Sequence, residues 1–193
     1  MATKASVGKP NVSGAVFVAP FGTTLPTSAS ATLNASFKDL GYVSDDGVTN
    51  SNSPTSTEIK AWGGDTILTP YTGKTDTFKF KLVGVLEPDV LAAVYGSDNV
   101  SGTMAAGLIV RANSTEAPAL AWVIDMILSD GEDTIAKRTV IPNGKITSIS
   151  DIVYKDNEAV GYEITITALP GDENFGYDTH KEYFLKQANT SSS

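Results

Sequence analysis

The chain has 193 residues, a length suited to one domain, and 41% of them are hydrophobic, enough for a real core. Cysteine is absent, which excludes disulfides, thiol chemistry and cysteine metal sites and favours folding in a reducing compartment. The net charge of −8 argues against gripping nucleic acid, because phosphate is held by Lys and Arg; solubility is the plainest use of such acidity. Only 19% of residues are charged, so the balance is Ser, Thr, Asn and Gly, a mix that with short alternating runs points to an all-β protein. The first fourteen residues hold no apolar segment and read as free of a signal peptide. The longest apolar run, 117–128, is broken by Pro118 and Asp125 and is too short to cross a membrane.

In chain order, residues 1–13 read as an N-terminal arm and 14–186 as a single domain. Gly14 to Ala19 is a strand candidate, and 20–31 is rich in turn residues and reads as loop. Phe37 to Val43 leads into residues 44–61, too polar to form core and expected to be an extended loop, closed by Trp62. Thr75 to Val85 alternates: Phe78, Phe80 and Leu82 face one way, Thr77, Lys79 and Lys81 the other, the period of a strand with one buried face. One short helix is expected at 88–95. Pro88 suits its first position, Asp89 complements the positive end of its dipole, and Val90, Leu91 and Val94 form an apolar stripe. Gly96 is placed to end it in the left-handed conformation. Strands are expected over 107–112, 119–128, 135–141, 145–149 and 152–154, with turns at Pro142–Gly144 and Lys155–Glu158. Gly161 to Ala168 alternates again, with Tyr162, Ile164 and Ile166 inward and Glu163, Thr165 and Thr167 outward. Residues 187–193 read as a disordered tail.

The chemistry-bearing residues form no catalytic, cofactor or metal constellation. The sequence holds no G-x-S-x-G elbow, and the lone histidine, His180, reads as a surface residue. Gly73-Lys74-Thr75 resembles the end of a phosphate loop, but Leu68 stands where that motif needs glycine. The acidic runs at 130–133 and 172–174 lack the ligand spacing of a calcium loop and read as solvated turns. Trp122, in an apolar strand, reads as core; Trp62, at the end of a polar stretch, reads as an interface residue as readily as a locally packed one.

Several segments, in order, resemble the major tail proteins of long, non-contractile-tailed bacteriophages. They are Asp39-Leu40-Gly41-Tyr42-Val43-Ser44-Asp45-Asp46-Gly47-Val48, Glu58-Ile59-Lys60-Ala61-Trp62-Gly63-Gly64-Asp65, the strand from Thr75, and Val94-Tyr95-Gly96. Pro142-Asn143-Gly144-Lys145 and the run from Val153 to Ile166 complete the set. The resemblance covers about residues 12–185. It implies a β-sandwich or half-barrel with one flanking helix and no enzymatic activity. Six copies would close a ring around a lumen, and rings would stack around a tape-measure protein, bounded by tail terminator and tail-tip proteins. Double-stranded DNA would later pass through without specific binding and without a membrane role for the chain. The protein would be assembled in the host cytoplasm and reside in the virion tail. In such tubes a long loop and the N-terminal arm reach neighbouring subunits, which implies inter-subunit roles for Asp45, Asp46, Asn50, Asn52 and Trp62. Glu163, with Lys79 and Lys81, is then a candidate for the lumen wall. The other reading of the residues is a β-sandwich carbohydrate-binding module using Trp62, Tyr71 and Tyr95 as sugar platforms; a type VI secretion tube subunit is a third.

Overall fold

The computed structural model describes residues 6–10, 15–130 and 132–187. Of the arm expected over 1–13 only 6–10 are described, and the tail expected over 187–193 lies outside the described residues except for Gln187. In chain order the strands are β1 (Val7–Pro10), β2 (Val16–Pro20), β3 (Lys38–Asp39), β4 (Val43–Ser56), β5 (Ile59–Lys60), β6 (Thr66–Leu68), β7 (Tyr71–Leu82), β8 (Val100–Thr103), β9 (Gly107–Val110), β10 (Leu120–Ser129), β11 (Thr134–Ile149), β12 (Tyr162–Leu169) and β13 (Lys181–Lys186). One α-helix, α1 (Pro88–Tyr95), lies between β7 and β8.

The main sheet is antiparallel, ordered β3-β2-β10-β11-β12-β7-β4. Two of its strands carry partners in tandem. β1 and β2 lie one after the other along one edge of β10, opposite Met126–Ser129 and Leu120–Ile124. β12 and β13 do the same along β11, opposite Asn143–Ile149 and Ile135–Val140. The changeover on β11 falls at Pro142, which cannot donate to a ladder and is tolerated in a strand mainly at an edge or a bulge. The register with β10 slips between Leu120↔Gly144 and Trp122↔Ile141, which marks a bulge. The turn expected at Pro142–Gly144 is therefore this bulge, inside a strand of 16 residues. The Trp122 indole donates to the Gly144 carbonyl at 3.1 Å and lies edge-on to Phe80, ring centroids 6.2 Å apart.

Bending there folds the sheet over one core. Val16, Val18, Trp122, Ile124 and Ile141 meet Phe78, Phe80, Leu82, Ile164 and Ile166, and Val90, Leu91, Ala93 and Val94 of α1 join the same cluster. The alternating strands expected around Phe78 and Ile164 are thus the real ones, and the helix stands at 88–95 as expected. Gly96 ends it at φ +90° and ψ 139°, a glycine region but not the left-handed helical one expected. A second cluster, built on Ala121, Val123, Val140 and Phe175, sits on the other face of β10 and β11 beneath residues 21–37. There the Arg138 guanidinium binds Asp125 through two 2.7 Å hydrogen bonds and donates to the Ala31 carbonyl at 2.5 Å. This buried pair ties that long connection to the sheet, and each charge is compensated by the other.

Two further expectations change. Residues 44–61 are not a loop: most of them form β4, which pairs with β7 from Val48↔Phe80 to Ser56↔Tyr71. Residues 152–154 form no strand but an irregular crossing between β11 and β12.

Candidate assembly surfaces

The most prominent surface is the long hairpin of β4 and β7. Near its base the strands share the core through Val48, Phe78 and Phe80. From Ser51 to Lys60 every residue is exposed, so both faces of the ribbon meet solvent. Ten to twelve residues of strand span roughly 35–40 Å at ~3.3 Å per residue. Beyond it β5 and β6 pair as a tip, closed where the Ala61 amide donates to the Asp65 carbonyl at 2.8 Å. Gly63 and Gly64 take φ of +126° and +100°, which only glycine adopts without strain. Trp62 stands on that turn at 108% relative exposure, touching almost nothing of its own subunit. Ile59, Ile67 and Leu68 on the tip strands, and Tyr71 further down the ribbon, are exposed as well.

The base is held by a polar knot. Asp76 is only 1% exposed, yet its carboxylate accepts from Thr179 Oγ1 at 2.6 Å and Asn50 Nδ2 at 2.9 Å. His180 Nδ1 lies 2.5 Å from its Oδ2. Burial pushes the Asp76 pKa up, but the hydrogen bonds from Thr179, Asn50 and His180 outweigh burial and hold it below the usual carboxylate value. His180 also stands edge-on to Phe78. The expectation of a surface histidine is corrected: the segment entering β13 turns it inward, where it clamps the point at which the hairpin leaves the sheet.

The residues expected to reach a neighbour therefore divide. Asp45 and Asp46 sit in the irregular step between Val43 and Val48, near the body of the domain, with Ser44 Oγ donating to Asp46. Asn50 works within the subunit, on Asp76 and the Thr77 carbonyl. Asn52 pairs with Asp76 across the ribbon, and only Trp62 stands at the tip. Glu163, Lys79 and Lys81 do share one solvated face, with Glu163 opposite Lys81 and Lys79 opposite Thr165. The hydrogen bond from Ser150 and then that from Lys79, whose Nζ is 2.9 Å away, depress the Glu163 pKa. Thr147 and Thr167 join hydroxyls on the same side, 2.9 Å apart. Tyr95 is not near Trp62 and Tyr71; it packs edge-on to Tyr162, whose pKa is pushed to about 12, mainly by burial.

Sequence reasoning missed the apolar companions of Trp62 and the Asp76 knot. The first had a signal, since Ile59 and the Ile67-Leu68 pair flank a Gly-Gly turn. The second had none, its members being 104 residues apart.

Among the described residues, the outer edges of β4 and β13 carry no strand partner. An outreaching arm, an apolar tip and open sheet edges define a structural β subunit that meets others through its surface. A model of the phage tail tube protein family matches residues 6–181, and the chain belongs to that family, a structural and non-enzymatic one of the virion tail. A comparison with curated proteins finds no match.

Proposed function

We propose that this protein closes hexameric rings that stack into the tail tube, with the β4–β7 hairpin crossing from each ring to the next. The observation that carries this reading is the ribbon itself. A two-stranded hairpin exposed on both faces is marginal in water, and one ending in a bare tryptophan leaves apolar surface to be covered. A partner supplies both needs. The open edges of β4 and β13 support lateral closure, since a ring removes the exposed edges that an all-β monomer must otherwise protect.

The solvated face of β12 and β7 is the best candidate for the lumen wall. Its side chains favour sliding over tight binding: Thr77, Thr165 and Thr167 are uncharged, the Glu163 charge is met by Lys79, and Lys81 adds a single further cation. The face is thus hydroxyl-rich, with one anion and two cations among its charges. Such a wall neither holds nor strongly repels phosphate passing through. Tape-measure, terminator and tip proteins are the expected partners, with assembly in the host cytoplasm.

Purified protein examined by light scattering across concentration and by negative-stain microscopy tests the reading. Six-fold rings or tubes are expected; a strict monomer at every concentration refutes it.

A further inference from the structure

The hairpin tip needs a receptor, and the subunit carries a concave apolar groove built from other elements. Between α1 and β2 lies a groove of about 420 Å³. Its lining includes Val18, Ala19, Ala35, Ala92, Ala93 and Leu120. The alanines matter: small side chains on both walls leave a hollow where larger ones would close it. The stripe of α1 that fills the core is Val90, Leu91 and Val94, so Ala92 is left to face the hollow while Ala93 forms its buried floor. The charged residues lining it are one cation, Lys38, and one anion, Asp89, both exposed.

The tip matches this arrangement. Trp62 is the knob, with Lys60 at the end of β5 and Asp65 just before β6 flanking its turn, one charge of each sign. Among the described residues Lys60 pairs with Glu58, at 3.6 Å with both side chains more than half exposed, a contact easily given up. We propose that the groove between α1 and β2 seats Trp62 of a second copy of this chain, with Lys60 directed to Asp89 and Asp65 to Lys38. The proposal rests on the arm crossing between rings and names where it lands. It makes stacking directional, because knob and hole lie on different parts of one subunit, a heterologous contact that propagates without closing.

The test is a charge-swap cycle on the full chain. Lys60→Glu and Asp89→Lys are made singly and together, beside Trp62→Ala, with circular dichroism confirming the fold; all lie on the surface. Stacking is read by pelleting and negative-stain microscopy in dilute salt. Each single reversal should raise the concentration needed for stacking about tenfold, since six contacts per ring multiply a small repulsion, and the double variant should return to within about threefold of the unmodified protein. High salt should narrow the gaps. Trp62→Ala should not stack. If Asp89→Lys stacks normally while Trp62→Ala fails, the tip lands elsewhere: the groove is overturned and the tube stands. Impaired single variants without rescue in the double overturn the groove as well. Unmodified protein that never stacks overturns both.

Discussion

Replacing Asp76 with alanine should cost the subunit about 2–3 kcal/mol. The carboxylate is 1% exposed and accepts from Thr179 and Asn50, with His180 Nδ1 in contact. Removing one partner of a buried charged network costs roughly 3–5 kcal/mol when the others stay buried. Here the penalty is smaller, because Asn50 lies on the exposed ribbon and the His180 side chain keeps 13% exposure, so both regain water in part. For a chain of this size that loss lowers Tm by about 5–10 °C. The assay is urea unfolding followed by the fluorescence of Trp122, which is fully buried, together with a thermal scan. The pH dependence follows from the depressed pKa. Between the folded and unfolded values the unfolded chain binds more protons, so the carboxylate's contribution is present above the ordinary aspartate value near pH 4 and is lost as pH falls through the lower folded value. The difference between the unmodified protein and Asp76→Asn should thus shrink as pH falls below about 4. An Asp76→Ala variant within about 0.5 kcal/mol of the original, the range of ordinary surface changes, would refute the knot as the clamp of the hairpin.

Other outcomes follow from the same geometry. Gly144→Ala should destabilise by about 1–3 kcal/mol, because an added Cβ would lie 2.5 Å from Trp122 Cδ1 and 2.9 Å from Ile166 Cγ2; urea unfolding measures it. Replacing residues 54–74 by a two-residue Asn-Gly turn, flanked by the Ser53–Thr75 pair, should leave the fold within about 1 kcal/mol, since the removed ribbon is exposed on both faces, yet abolish tube growth in the microscope. Iodide should quench Trp62 and spare Trp122 in the free subunit, and the quenchable signal should vanish as tubes form. Glu163→Lys should leave rings intact, because a surface pair is worth about 0–1 kcal/mol, but slow DNA ejection in dilute salt with recovery as salt rises.

The elements that read clearly in the sequence are those with one buried face. Phe78, Phe80 and Leu82 alternate with threonine and lysine because β7 lies between core and solvent, and Ile164 and Ile166 do the same on β12. β4 was unreadable as a strand for the same reason inverted: with both faces wet, nothing selects a period, and SNSPTS looks like loop. Pro142-Asn143-Gly144 carries every mark of a turn, and only the tandem partners of β11 make it a bulge. Trp62 stood out because a tryptophan closing a polar run is out of place, and it is fully exposed at the hairpin tip. Asp76 and His180 were not, because a contact between residues so far apart leaves no local trace.

The hairpin is, mechanically, a lever. It is gripped at Asp76 and free for roughly 40 Å beyond, so five degrees of rotation at the root carries the tip through roughly 3–4 Å, about the width of one atom-to-atom contact. In the stacked tube proposed above, angular slack at these four side chains would become axial and lateral play between rings. A stiff root would make the arm a rod and a compliant one a hose, so Asn50, Asp76, Thr179 and His180 would set how far the arm's base lets its tip wander.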